Sequence, residues 1–288
     1  MAELTEGQIR WDGVLLFDGR RLALTGIEGW DDLPGIDSGN VLRPSRHGAW
    51  AGRGLAQQRV VTATGTLVAG DRGVRGVEPY VAAVRRATAL PEDSEQRALT
   101  MRIGGQELTG YGQVTARSIP GGVGYQAGRP TVSIQWICPD PRRYGEERST
   151  TIVAPARAED GLRYPLRYPL DYGEPTTGGA GTVRNNGDTP AHPVLVFTGP
   201  CDRPRVVDQE SGRVLEFDLV LAESDALVVD CGSGTVRLNG ADRYYTLTSR
   251  SVPPGSWTVA PGRSTIRFRT VSSGPSASVR IRWRDAYL

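Results

Sequence analysis

The chain has 288 residues, 38% of them apolar and 23% charged, with a formal net charge of +2. That length allows two ordinary domains, each with its own core. The charge balance argues against a basic nucleic-acid binder, because residues 1–150 hold 18 Arg against 17 acidic residues and residues 151–288 hold 16 against 15. Every basic residue is Arg and none is Lys. A GC-rich coding bias accounts for that more simply than a taste for planar interface cations.

The first elements read as strands: Ile9-Arg10-Trp11, then Val14-Leu15-Leu16-Phe17, a turn at Asp18-Gly19, and an alternating Arg20–Leu24 segment. Residues 28–58 are rich in loop residues. A clear strand follows at Arg59–Val68. One segment reads as helix, opened by Glu78-Pro79, with Tyr80, Val81, Val84, Ala87 and Leu90 forming an apolar stripe and Pro91 stopping it. Strands return at Ala98–Ile103, Glu107–Ile119 and Thr131–Ile137, with Gly121–Gly124 as a loop.

Residues 138–184 change character. Two prolines in Cys138-Pro139-Asp140-Pro141 are poorly suited to a sheet interior. The repeat Leu162-Arg163-Tyr164-Pro165-Leu166-Arg167-Tyr168-Pro169-Leu170 favours extended backbone before each Pro. It reads as an arm, with Tyr164, Leu166, Tyr168 and Leu170 as candidate interdomain contacts. The expected division is 1–145, an arm over 146–184, and a second domain over 185–288.

That second domain shows eight to nine short strands at sandwich spacing. They lie at Val194–Gly199, Asp202–Asp208, Gly212–Leu221, Ala226–Asp230, Thr235–Asn239, Tyr244–Arg250, Trp257–Val259, Thr265–Val271 and Ser278–Trp283. Leu215, Phe217, Leu219 and Leu221 share the parity that should face the core. Asn239-Gly240 is a tight-turn dipeptide, since both positions tolerate positive φ. The fold class is therefore mainly β.

Chemistry is hard to place on this chain. His47 and His192 have no partner at metal-ligand spacing. Asp31-Asp32 and Asp140 sit in turns, where Asp commonly accepts hydrogen bonds from nearby backbone. Cys138, Cys201 and Cys231 are odd in number and lack a CxxC pair, which fits buried thiols. No P-loop, GxSxG or GxGxxG is present. We expect no catalytic residue, metal or cofactor, and no enzyme. The amino-terminal residues lack an apolar targeting segment and no stretch is long enough to span a bilayer, so synthesis in a cytoplasm without membrane insertion is expected.

One surface feature stands out. Eight Arg and no acidic residue lie between Arg243 and Arg284. Arg267, Arg269, Arg280, Arg282 and Arg284 alternate with apolar residues in the last two strands, making a candidate surface for an acidic protein or an anionic cell-wall polymer if those strands pair. A solvated outer face is the simpler alternative.

The order of features resembles the siphophage distal tail protein family. The residues that carry the resemblance are Gln135-Trp136-Ile137-Cys138-Pro139-Asp140-Pro141-Arg142-Arg143-Tyr144, the Tyr-Pro repeat, Asn186-Gly187-Asp188 with Ala191-His192-Pro193, then Gly199, Gly212, Asn239-Gly240 and Pro261-Gly262. It is best over about residues 130–265. The resemblance implies a tail-tube-like β-sandwich or barrel with one helix, then a galectin-like or carbohydrate-binding-module-like β-sandwich. It also implies a hexameric ring at the phage tail tip, with the tail tube and tail hub as partners and the tape measure and receptor-binding proteins as further candidates. DNA would pass through the lumen without sequence-specific binding. The alternative is a carbohydrate-binding module used in host adsorption, with Trp257, Tyr244, Tyr245 and Trp283 as aromatics to weigh.

Overall fold

The structure is a computed structural model that describes residues 3–68, 73–155 and 179–288. The chain divides into two compact units, Met1–Gly145 with Tyr287–Leu288, and Glu146–Ala286.

The first unit opens with β1 (Ile9–Trp11), β2 (Val14–Phe17) and β3 (Leu22–Glu28). Asp12 and Gly13 both have positive φ, 48° and 79°, which makes the tight turn between β1 and β2. Four two-residue strands follow: β4 (Ile36–Asp37), β5 (Val41–Leu42), β6 (Ala49–Trp50) and β7 (Leu55–Ala56). Then come β8 (Arg59–Leu67), α1 (Gly73–Ala87), β9 (Arg97–Ile103), β10 (Gln106–Ser118), α2 (Val123–Gln126), β11 (Thr131–Cys138) and β12 (Arg143–Val153).

β10 is shared by two sheets. Its first half pairs β9, from Gln106↔Ile103 to Gly112↔Arg97. Past Gly112 it pairs β11, with a register break between Val114 and Ala116. One sheet runs β2-β1-β9-β10 and the other β10-β11-β8-β3. Gly112 allows the turnover, because a Cβ there would lie 2.3 Å from the Ile137 carbonyl oxygen. Between the layers sit Trp11, Phe17, Leu99, Met101 and Trp136, all buried, with the Trp11 and Trp136 rings 6.1 Å apart.

α1 begins six residues before the expected Pro79, which lies inside it. Pro79 is exposed, so the missing N–H and the carbonyl it would have bonded lie on the solvent side. Val77, Val81 and Val84 form the buried stripe, whereas Leu90 is beyond the helix and 84% exposed. The carboxyl end is held by Arg117, whose Nη1 donates to the Arg85 and Thr88 carbonyls and to the Thr88 hydroxyl. The glycine loop expected at 121–124 runs into the four-residue α2.

The second unit contains the rest of β12, then β13 (Ala180–Asn185), β14 (Val194–Thr198), β15 (Cys201–Asp202), β16 (Arg205–Asp208), β17 (Val214–Glu216), β18 (Val220–Leu221), β19 (Ala226–Asp230), β20 (Thr235–Leu238), β21 (Ala241–Asp242), β22 (Gly262–Arg269), β23 (Ser272–Ser273) and β24 (Ser278–Tyr287). One layer runs β24-β14-β19-β20-β21 and the other β13-β22-β16-β17. Phe197 anchors the core, 5.6 Å from Phe217 and 5.9 Å from Phe268, with Trp257 fully buried in the same cluster. Leu215, Phe217 and Leu221 are buried as their parity predicts. Asn239 and Gly240 take φ of 49° and 87° between β20 and β21.

Three expectations fail here. The segment Tyr244–Arg250 is not a strand but starts with a 3-10 turn over Tyr244–Thr246. Polar side chains there bond the local backbone instead of a ladder: Asp242 accepts from the Tyr244 N–H and the Thr246 hydroxyl donates to the Arg243 carbonyl. Trp257–Val259 contributes only an isolated bridge, Ala191↔Val259. The last two strands do not pair, because β22 and β24 belong to opposite layers.

Candidate assembly surfaces

β4 pairs β7 through Ile36↔Ala56 and Asp37↔Leu55, and β5 pairs β6 through Val41↔Trp50 and Leu42↔Ala49. The result is a nested hairpin over residues 36–56. Its apolar side chains face solvent: Ile36 is 52% exposed, Val41 61%, Leu42 82%, Trp50 55% and Leu55 56%. None of them belongs to the core of the unit. A two-stranded hairpin is marginal alone in water, and this many exposed apolar groups on one element mark an interaction surface.

The root of the hairpin is fastened by Arg59, only 2% exposed. Its guanidinium donates to four carbonyls, those of Gly29 (2.7 Å), Trp30 (2.8 Å), Asp32 (2.7 Å) and Pro141 (2.7 Å). Burial lowers its pKa, and neighbouring Arg143 lowers it further. Asp32 accepts from the Gly29 N–H at 2.7 Å, as a turn aspartate should, and Asp31 pairs with Arg143. Asp140 likewise takes the Arg142 N–H at 3.1 Å and the Tyr144 hydroxyl at 2.5 Å. Sequence patterning treats this whole region as loop, since two-residue strands carry no periodicity. The available signal is the recurrence of Ile, Val, Leu and Trp in a Gly-rich stretch.

A second surface is the outer face of β10-β11-β8-β3. The inward positions of β8 and β11 are buried and mostly apolar. Outward, β8 presents Val60, Thr62, Thr64 and Thr66, and β11 presents Thr131, Ser133, Gln135 and Ile137, in facing pairs. Their side chains bond one another: Thr64 to Ser133 at 3.3 Å and Gln135 to Thr62 at 3.3 Å. β10 adds Gln113, Ala116 and Ser118 on the same side. Where these three strands pair one another, none of the outward positions is charged; Glu107 lies on the part of β10 that pairs β9, and Arg117, opposite Ile134, turns to the end of α1. Glu28, on the edge strand β3, is the nearest exception.

The five arginines singled out by alternation fall on two separate faces. Arg280, Arg282 and Arg284 lie on the outside of β24, where Arg282 and Arg284 reach Glu147 at 3.7 and 3.9 Å. Arg267 and Arg269 lie on the outside of β22, in the opposite layer. There the structure adds Arg184, Arg205 and Arg263. Arg184 stands directly opposite Arg263, and Arg205 directly opposite Arg269. Tyr164, Leu166, Tyr168 and Leu170 lie outside the described residues.

Of the aromatics weighed for sugar stacking, Trp257 is 0% and Trp283 7% exposed, and the Trp283 indole N–H donates to the Arg184 carbonyl at 2.9 Å. Tyr244 and Tyr245 are exposed. The three cysteines are buried free thiols, and burial pushes Cys138 and Cys201 up to about 11 and Cys231 to about 12. They are poor nucleophiles there.

A family model described as "Siphovirus-type tail component, C-terminal domain" matches residues 186–287. Comparison with the curated proteins gives no match. Among solved structures, the chain is similar to the Dit (gp 19.1) protein of phage SPP1, described as a paradigm of hub adsorption apparatus in Gram-positive infecting phages. The identity is 14% over 98% of this chain and 99% of that one, with a TM-score of 0.67. It is also similar to chains of the phage p2 baseplate in its activated conformation. With Ca the identity is 9% over 91% of this chain and 90% of that one, and with Sr it is 10% over 96% of each; both TM-scores are 0.50.

Proposed function

We propose that this chain, whose residues 186–287 match the siphovirus-type tail component model and whose fold is similar to that of the SPP1 Dit protein, closes the tail tube as a hexameric ring and carries the tail hub below it. The observation that carries the ring is the nested hairpin over residues 36–56. Its exposed apolar side chains need a partner surface, and in a ring each hairpin docks on the neighbouring subunit. Such a contact between identical subunits is head-to-tail and closes if the rotation permits. The uncharged face of β8, β10 and β11 then lines the lumen. Without cations it offers no phosphate contacts to hold passing DNA. Tail tube and hub proteins are the partners, with the tape measure and receptor-binding proteins as further candidates. Assembly takes place in the host cytoplasm before the protein joins the virion tail. A carbohydrate-binding reading has less support, since the two tryptophans it would use are buried.

The test is mass by light scattering together with negative-stain microscopy. The expected particle is near six times 31.0 kDa, with six-fold rings. A Leu42→Ser/Trp50→Ser variant should stay folded, with an unchanged melting temperature, and should remain monomeric. A wild-type protein that stays monomeric at micromolar concentration, and does not form rings on isolated tail tubes, would refute the ring.

A further inference from the structure

We propose that the outer face of β13-β22-β16-β17 binds a linear phosphodiester polymer of a cell envelope. This face carries Arg184, Arg205, Arg263, Arg267 and Arg269. Two like-charged pairs stand directly across the ladders, an arrangement that costs stability in isolation. The register cannot slip to relieve it, because the alternate residues Val183, Val206, Ile266 and Phe268 fill the core. Among the described residues, Glu216 stands opposite Arg205, Glu210 accepts from the Thr265 N–H through its carboxylate, and Asp208 of β16 is buried. Arg267 and Arg269 also make contacts within the chain, so Arg184, Arg205 and Arg263 define the outer reach of the site.

The chemistry of the face selects the ligand. Stable protein partners bury aromatic or aliphatic anchors at the centre of an interface. None of the exposed large apolar residues lies on these four strands. What the face does offer is a row of guanidinium forks suited to bidentate phosphate binding. From Arg263 to Arg269 the strand runs about 20 Å, room for several phosphates of a thin, extended chain. Duplex DNA is a poorer fit on shape, since its stiff double helix turns its phosphates away from a straight row of side chains that a thin flexible chain can follow. The cell-envelope source rests on the tail-tip reading; binding itself does not, and a lone subunit would show it.

The experiment titrates purified full-length protein against fluorescent poly(glycerol phosphate) between 50 and 200 mM salt. Affinity should fall with salt, with a log–log slope of about −3 for four to five phosphates contacted. Arg184→Ser/Arg263→Ser/Arg267→Ser should weaken binding at least tenfold and flatten the slope. The double variant Arg184→Ser/Arg263→Ser, which spares the partners of Arg267, should lose part of the same affinity without a lower melting temperature. Arg280→Ser/Arg282→Ser, in the other layer, should bind within twofold of wild type. The proposal is overturned by no binding at 50 mM salt, by equal binding of the triple variant, or by poly-glutamate or duplex DNA of equal charge binding as tightly.

Discussion

Replacing Arg59 by Met tests how the candidate ring-contact hairpin is held. The substitution keeps the volume of a buried side chain and removes four hydrogen bonds at 2.7 to 2.8 Å. One of the four acceptors, the Trp30 carbonyl, is in a buried bond, and the other three are part-buried and can regain water. Nη1 serves three of these carbonyls with two hydrogens, so three N–H groups are engaged; at about 1 kcal/mol net for each the loss is roughly 3 kcal/mol, with extra cost at the carbonyl left dry and some relief from no longer burying a charge. A domain of this size melts about 3 °C lower per kcal/mol, so the first unit should melt on the order of 9 °C lower. Arg59→Lys keeps the charge but reaches fewer carbonyls, and should fall about halfway. Denaturant unfolding gives the free energy, and amide hydrogen exchange over residues 29–35 gives the local effect. If Arg59→Met unfolds within 1 kcal/mol of wild type and those amides stay protected, the guanidinium does not fasten this loop.

Gly29→Ala should damage the same corner from the backbone side, because φ is +78° and a Cβ would sit 1.8 Å from the Val60 carbonyl oxygen. A loss of at least about 3 kcal/mol in denaturant unfolding is expected. Asp18 is pushed up by partial burial but held below the ordinary carboxylate range by the N–H groups of Arg20, Arg21 and Leu22. Its contribution is therefore present above the unfolded value near 3.9 and disappears as pH falls through the folded pKa. Asp18→Asn should be less stable than wild type at pH 7, and the two acid-unfolding curves should converge once the pH is below the folded pKa of Asp18. Phe197→Ala empties the centre of the second core and should cost about 3 to 5 kcal/mol, read as earlier proteolysis within residues 146–286 and not in the first unit.

Legibility in the sequence follows periodicity. β9, β10 and β11 are readable within a residue or two because one face of each is apolar and the other polar. Asn239-Gly240 is readable because its turn requires positive φ. β12 is missed: Glu146 to Thr151 contains no apolar residue, and the ion pairs that accompany it, Arg148–Asp285 and Arg282–Glu147, are distant in sequence. The Arg rows show the other limit. Parity states which face a residue takes, and it does so correctly for Arg267 and Arg280. It does not state which layer a strand joins. The cationic face is completed by Arg184, Arg205 and Arg263, which come from three strands that only the topology brings together. The hairpin over 36–56 fails for a third reason, since its two-residue strands place no side chain in the unit's core and so carry no alternation to read.

The three buried thiols have a practical corollary. With thiol pKa values of about 11 to 12, the native cysteines should be almost silent toward maleimides at neutral pH. A single cysteine introduced at Leu90, which lies outside the hairpin and is 84% exposed, would then carry a dye at one known place without removal of any native cysteine. Subunit docking could be followed in real time by the quenching or energy transfer of that one probe.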